Sequence, residues 1–314
     1  MAIDKKFVDH FIEVTSKAAL ASSYLVGKKD KIAADKAAVD SMRSNLNNFD
    51  MQGRIVIGEG ELDEAPMLYI GEKLGAGGNL DIDIAVDPLE GTNFTAKNLP
   101  NALSVLAVSN KGNLLNAPDI YMEKIAIGPS LPKNLVDLDN DLEKNIKFLS
   151  DAKNTSPENL TVCVLKRPRH DKIVECLNSL KVNIKFISDG DVSGVVSVAN
   201  PKLRVDMYIG IGGGPEGVLA AAALNCLNCQ MQTRLVYQND DEKLRTKKLG
   251  IVDLDKKYEI DDMVRGDVIF AATGVTDGEL VKGIKVEKDY FVSETLLLHK
   301  SSKTNEILKS KIKK

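Results

Sequence analysis

Thr161-Val-Cys-Val-Leu165 opens the stretch that decides the fold. It is a short run rich in β-branched residues, and two more follow: Ile184-Lys-Phe-Ile187 and Val205-Asp-Met-Tyr-Ile209. A helical pattern around His170–Leu180 separates the first two, and a shorter segment around Val192–Ala199 separates the second from the third. A further helix is predicted from about Glu216. Strands alternating with helices at this spacing form a parallel or mixed sheet covered by helices.

Working outward, the first half has a different texture. An opening helix carries Phe7, Phe11, Val14 and Ala18, and a second is predicted over Ala34–Leu46. Then come a strand Arg54–Ile57, a helix from about Asp63 to Leu74, a turn at Gly75–Asn79 and a strand Asp81–Val86. The polar stretch Pro129–Leu160 is either a connection between domains or a surface excursion within one. The chain reads as α/β, layered in the α+β manner, with two sheet-containing halves, 1–155 and 156–314.

At 314 residues the chain exceeds what one hydrophobic core usually serves. Its hydrophobic fraction of 43% and charged fraction of 28% are those of a globular protein. No apolar run approaches the roughly 18 residues of a membrane helix. Asp4, Asp9 and Glu13 interrupt the apolar N-terminus, so the expectation is a cytoplasmic protein without a membrane partner. A net charge of −3 argues against a nucleic-acid partner. The basic tail Lys300–Lys314 reads as a solvated terminal helix. Cys226 and Cys229 form a lone CxxC, better explained as buried small hydrophobes than as a metal or redox pair.

The chemistry concentrates in Asp81-Ile-Asp-Ile-Ala-Val-Asp-Pro-Leu-Glu-Gly-Thr92. Pro88 cannot continue a ladder, so the strand is predicted to end near Asp87, leaving Asp87 and Glu90 on a tight turn where they can share a cation. Hard carboxylate oxygens without histidine favour Mg²⁺ or Mn²⁺. Taken singly, each of these residues is equally at home in an ordinary Asp-Pro turn. Upstream, Ile57-Gly-Glu-Gly-Glu-Leu-Asp63 puts Glu59 at another strand end between glycines, while Asp63 suits helix capping as well as chemistry. Asp35 shares a helical face with Val39, Met42 and Leu46, so it needs a metal, a basic partner or a capping role. Capping and metal binding remain equal alternatives for it.

In the second half, Gly210-Ile-Gly-Gly-Gly-Pro-Glu-Gly217 follows a strand and opens a helix, which suits an anion at the helix start. It is neither a P-loop nor a dinucleotide loop. Arg167-Pro-Arg-His170 offers forks for phosphate or makes a solvated loop. Asp189-Gly-Asp191 holds sugar hydroxyls or simply turns. Cys163 and Arg169 have the Cys-x5-Arg spacing of thiol phosphatases, but Cys163 falls inside a predicted strand with no glycine-rich loop after it.

Together these residues resemble the lithium-sensitive sugar phosphatase superfamily that includes inositol monophosphatase. Within it, Val56-Ile-Gly-Glu-Gly-Glu-Leu-Asp-Glu-Ala-Pro-Met-Leu-Tyr-Ile-Gly-Glu72 is similar to class II fructose-1,6-bisphosphatases. So are Asn116-Ala-Pro-Asp-Ile-Tyr-Met-Glu-Lys124, Pro168-Arg-His-Asp171, Gly212–Gly217 and Ala272-Thr-Gly-Val-Thr-Asp-Gly278. The resemblance implies alternating helix and sheet layers, a metal- and phosphate-binding first half and a sugar-binding second half. It implies metal-assisted hydrolysis of the 1-phosphate of fructose 1,6-bisphosphate, with two Mn²⁺ or Mg²⁺ ions, no phosphoenzyme, and a homodimer or homotetramer. Asp35 and Glu59 would hold one metal, and Asp87, Glu90 and Glu216 the other. Thr92 would orient or deprotonate the attacking water, and the Gly91–Thr92 amides would hold the 1-phosphate. Tyr121, Arg167, Pro168, Arg169, Asp189, Gly190, Asp191 and Gly213 match substrate-contacting positions, as Glu90 does, and Lys31 and Asp63 match residues near the reacting centre. Arg167 stands where the family pattern has Lys, so a planar fork replaces a point charge. Sedoheptulose 1,7-bisphosphate is a second implied substrate. The rival expectations are an inositol- or nucleotide-phosphate phosphatase of the same superfamily and a non-catalytic sugar-phosphate sensor.

Overall fold

Val8, Phe11, Ile12, Val14, Ala18 and Ala19 wind onto one stripe of helix α1 (Val8–Ser23), and that stripe is buried. The computed structural model describes residues 3–4, 7–59 and 67–314. Helix α2 (Lys31–Asn47) begins at Asp30, whose carboxylate accepts from the Ala33 amide at 2.9 Å. Its own buried stripe is Ala34, Ala38, Val39, Met42 and Leu46. The strands β1 (Gln52–Ile57), β2 (Lys73–Leu74) and β3 (Asp81–Glu90) follow, then helix α3 (Thr92–Lys97) and strand β4 (Leu103–Asn110). β1 is parallel to β3 and antiparallel to β2, and β3 is antiparallel to β4. Phe11, Met42, Ile55, Ile82, Ile84, Leu106 and Val108 form one core between α1, α2 and this sheet.

Two expectations change here. Residues 67–74 are bends and the short β2, not helix. Leu68 and Gly71 take positive φ of 55° and 96°, and the Glu72 carboxylate turns back onto the Leu68 amide and pairs with Arg43 at 2.6 Å. Asp63 and Pro66 lie outside the described residues. β3 also runs past Asp87 to Glu90. Pro88 falls within the register shift between Asp87 and Glu90, beyond the last β1 pairing at Ala85, so its missing N–H breaks no ladder on that side.

The chain next builds a second unit, Ala117–Met263. It contains β5 (Tyr121–Ile127), α4 (Leu142–Ala152), β6 (Thr161–Leu165), α5 (Asp171–Ser179), β7 (Asn183–Ile187) and α6 (Asp191–Val196). After them come β8 (Met207–Gly213), α7 (Gly214–Cys226), β9 (Gln230–Val236), α8 (Asp240–Lys248), β10 (Lys257–Glu259) and α9 (Ile260–Met263). The sheet order is β10-β9-β5-β8-β6-β7, with β7, β6 and β8 mutually parallel as the alternating pattern predicts. Ile125, Ile127, Ile146, Leu149, Val162, Val164, Leu177 and Met207 form a core between this sheet and α4 and α5.

The last segment returns to the first unit, which is Met1–Asn116 with Val264–Lys314. It supplies β11 (Val268–Gly274), β12 (Lys285–Val286), β13 (Tyr290–His299) and β14 (Thr304–Lys313). β11 joins β4 and β13 in antiparallel pairings, extending that sheet to eight strands among the described residues. The units therefore part at 116/117 and 263/264, whereas the sequence reading divides the chain at 155/156. The basic tail is β14 rather than a helix, paired with β13 from His299↔Thr304 to Tyr290↔Lys313. Lys309, Lys311 and Lys313 are exposed, and Leu308, Ser310 and Ile312 between them are half-buried.

Candidate active site

In the first unit the site follows from strand direction. The parallel register of β1 and β3 runs from Gln52↔Asp81 to Ile57↔Ala85. Glu59 and Asp87, each two residues further on, therefore lie at the same end of the β1–β3 pair, with Asp87 still paired to Val105 of β4. Glu90 ends β3 and is buried. Gly91 follows at φ +80°, and a Cβ there would stand 2.6 Å from the Phe94 ring, so glycine alone fits. Thr92, half-buried, starts α3. α2 packs against both α3 and β3, and the Gly27 and Lys29 amides donate to the Thr95 and Ala96 carbonyls at 2.9 Å. These bonds fix the lead-in to α2, and with it Lys31 and Asp35, beside α3.

Asp35 is not the helix cap, because Asp30 is. It is half-buried, has no partner among the described residues, and burial raises its pKa above the ordinary carboxylate range. Asp83, by contrast, is fully buried and structural, paired with Arg54 at 3.0 Å and accepting the Gly112 amide at 2.6 Å.

In the second unit the candidates sit where ligands of α/β sheets bind, at the carboxyl ends of parallel strands. Arg167, Pro168 and Arg169 follow β6, Asp189, Gly190 and Asp191 follow β7, and Gly213 ends β8. Tyr121 pairs directly with Gly213 across the sheet, and the Arg169 guanidinium stacks over its ring at 4.7 Å. Arg169 also donates to the Ile211 carbonyl through Nε and Nη2. Arg167 donates Nη1 to the Ser188 carbonyl at 2.6 Å.

The glycine-rich loop has a more specific cause than an open helix start. A Cβ at Gly212 would meet Asp191 Oδ2 at 2.1 Å, and one at Gly213 would meet Glu216 Oε2 at 1.9 Å. The glycines make room for two carboxylates. Burial pushes Glu216 up, with Lys124 lowering it and Asp191 raising it. Lys124 and Tyr208, both fully buried and both bonded to Asp191, are absent from the sequence-derived candidates. The available signal was a lysine at an inward position of an apolar strand.

The candidate donors are all carboxylate oxygens, which suits a hard cation. Each histidine is otherwise engaged. His10 stacks on Phe49 at 3.8 Å, His170 bonds the Leu165 carbonyl and the Ile211 amide, and His299 pairs with Asp267. Cys229 is buried and its thiol is pushed up to about 12. Among the described residues, no three His, Cys, Asp or Glu side chains come close enough together to ligate one ion.

A family model for bacterial glpX-encoded fructose-1,6-bisphosphatase matches residues 5–312. The chain belongs to this family. These fructose-1,6-bisphosphatases are phosphoric monoester hydrolases, and relatives bear the name across nearly their whole length. The chain is 43% identical to "Fructose-1,6-bisphosphatase class 2" of Haemophilus influenzae over 308 residues, covering 94% of this chain and 92% of that one. It is 44% identical to "Fructose-1,6-bisphosphatase 1 class 2" of Escherichia coli, covering 94% and 91%. It is 40% identical to "D-fructose 1,6-bisphosphatase class 2/sedoheptulose 1,7-bisphosphatase" of a Synechococcus strain, covering 96% and 94%. Among solved structures, CysQ from Bacteroides thetaiotaomicron, an inositol monophosphatase family member, overlaps 65% of this chain and 79% of its own. That overlap, at 16% identity and a TM-score of 0.37, is too loose to add to the assignment.

Proposed function

We propose that this chain hydrolyses the 1-phosphate of fructose 1,6-bisphosphate, giving fructose 6-phosphate and inorganic phosphate. The parallel pairing of β1 with β3 is the observation that carries this, since it brings Glu59 and Asp87 to one end of that strand pair, beside the Glu90-Gly91-Thr92 turn. Asp35 and Glu59 would hold one Mn²⁺ or Mg²⁺ ion, and Asp87, Glu90 and Glu216 the other; this ligand set rests on the family resemblance, since the described residues form no ready three-ligand cluster. Bound cations supply charge neutralisation around the transferring phosphoryl group and a more acidic water.

The Gly91 and Thr92 amides hold the 1-phosphate, and the Thr92 hydroxyl orients the attacking water or takes its proton. Lys31 and Asp63 would assist that reaction, as the family resemblance implies. Arg167, Pro168, Arg169 and Tyr121 receive the phosphate that is not cleaved, and Asp189, Gly190, Asp191 and Gly213 receive the sugar. Arg167, in place of the family's lysine, spends part of its fork on the Lys166 and Ser188 carbonyls, which leaves fewer donors for phosphate. The protein works in the cytoplasm as a homodimer or homotetramer.

Sedoheptulose 1,7-bisphosphate is the second substrate, a reading favoured by the double name of the Synechococcus relative. The test is phosphate release with Mn²⁺ from both bisphosphates, an inositol monophosphate and a 3′-phosphonucleotide. Fructose 1,6-bisphosphate should give the highest kcat/KM, and a chelator should abolish turnover until Mn²⁺ or Mg²⁺ is restored.

A further inference from the structure

Lys124 stands in the middle of β5, a central strand, with 0% of its side chain exposed. An ammonium in that position persists only if it is paired. Its Nζ donates to Asp191 Oδ2, and the Tyr208 hydroxyl donates to Asp191 Oδ1. Burial, together with the Asp191 carboxylate, pushes the Tyr208 phenol far above its ordinary value, so it stays an O–H donor. Asp191 is itself buried at the first position of α6.

The surrounding backbone is cut to fit these groups. At Gly217 a Cβ would stand 2.4 Å from Met122 Sδ and 3.0 Å from Lys124 Cε. At Gly212 it would stand 2.1 Å from Asp191 Oδ2. Residues of β5 and β8 thus converge on one carboxylate of α6, and a glycine of α7 leaves room for its lysine partner. With a donor on each oxygen, that carboxylate cannot swing, yet each oxygen keeps a lone pair for a further donor. A buried ion pair is a poor source of stability compared with well-packed apolar side chains, so its presence calls for another use. The place suggests that use, since Asp191 opens the turn after β7, among the loops at the carboxyl ends of the parallel strands.

We propose that Lys124 and Tyr208 are positioning residues for substrate recognition, fixing Asp191 as the acceptor for one sugar hydroxyl that neither of them touches. This rests on the sugar-bisphosphatase reading of the site. Selectivity then depends on a locked acceptor, and an analogue lacking that hydroxyl forfeits the bond.

The experiment compares kcat/KM for fructose 1,6-bisphosphate with that for each of its monodeoxy analogues, in wild type, Tyr208→Phe and Lys124→Met. Wild type should discriminate against one analogue by about tenfold or more, the value of a hydrogen bond to a charged group. Tyr208→Phe, which keeps the ring and the Lys124 pair, should lose about tenfold on the full substrate and little on that analogue, so the ratio falls toward one. Lys124→Met should compress the ratio further. If it does not fold, Tyr208→Phe decides alone. Proportional losses on both substrates, or a wild type indifferent to every deoxy analogue, would make the network purely structural. Failure of wild type to hydrolyse any sugar bisphosphate would instead overturn the reading of the site.

Discussion

Replacing Arg169 with alanine separates recognition of the uncleaved phosphate from catalysis. The guanidinium is held in two ways, by Nε and Nη2 bonds to the Ile211 carbonyl at 2.9 and 2.7 Å and by stacking on Tyr121 at 4.7 Å. Of the five N–H donors of an arginine, two are spent on Ile211 and three remain for a phosphate. A hydrogen bond to a charged group contributes roughly 1.5–3 kcal/mol. The side chain is exposed, so solvent screening brings the total near the value of one such bond. Arg169→Ala should therefore lower kcat/KM for fructose 1,6-bisphosphate by about ten- to hundredfold. The lost stacking contributes only ~0.5–1 kcal/mol at an exposed site, so the melting temperature should fall by a few degrees at most. Arg169→Lys should recover part of the loss, because charge returns without the fork that Ile211 aims. The assay is steady-state phosphate release from the bisphosphate and from fructose 1-phosphate, which lacks the distal group. Wild type and Arg169→Ala should be similarly slow on fructose 1-phosphate. Equal losses on both substrates would refute the distal-phosphate role and place Arg169 with the reacting centre or the fold.

Thr92→Ala should lower kcat by ~10²–10⁴ with the melting temperature nearly unmoved, and normal activity per folded molecule would make the hydroxyl structural. Asp35→Asn should raise the melting temperature of metal-free protein at neutral pH. Burial lifts the folded-state pKa of Asp35 above its unfolded value, so the ionised group opposes folding above that value and ceases to do so below it. The same substitution should shrink the thermal shift caused by Mn²⁺, and an unchanged shift would remove Asp35 from the ligand set. Asp267→Asn should lower stability by about 1–3 kcal/mol, measured by denaturant unfolding. Burial alone would raise its carboxyl, but bonds from the Ile3 amide, His299 and Ser301 hold it below the ordinary value. Its contribution is therefore present above the unfolded pKa and lost as pH falls through the folded one, and the Asn variant should lack that acid-sensitive portion.

The local parts of the fold were legible because their causes are local. Alternation marked β6 and β7 to within a residue or two, and the apolar stripe marked α1. The end of β1 just before Glu59 followed from glycine chemistry, whereas β3 runs past the end near Asp87 that Pro88 suggests. What was missed depends on distant partners. The tail carries the alternation of a strand at Lys309, Lys311 and Lys313, but six lysines without their β13 partner read as a solvated helix. The return of β11–β14 to the first sheet leaves no mark on composition, which points to a boundary at the polar stretch instead. Residues 67–74 look helical until Glu72 is seen binding back to Leu68. Lys124 carries no mark of its own in the sequence, because a lysine is almost always a surface residue, and only its partner on another element makes it a core one.

The most direct test of the central claim is the identity of the product. Purified protein with Mn²⁺ should convert fructose 1,6-bisphosphate to fructose 6-phosphate and inorganic phosphate, with a kcat/KM well above that for an inositol monophosphate or a 3′-phosphonucleotide. Release of fructose 1-phosphate instead, or a higher kcat/KM on either of the other two substrates, would contradict it.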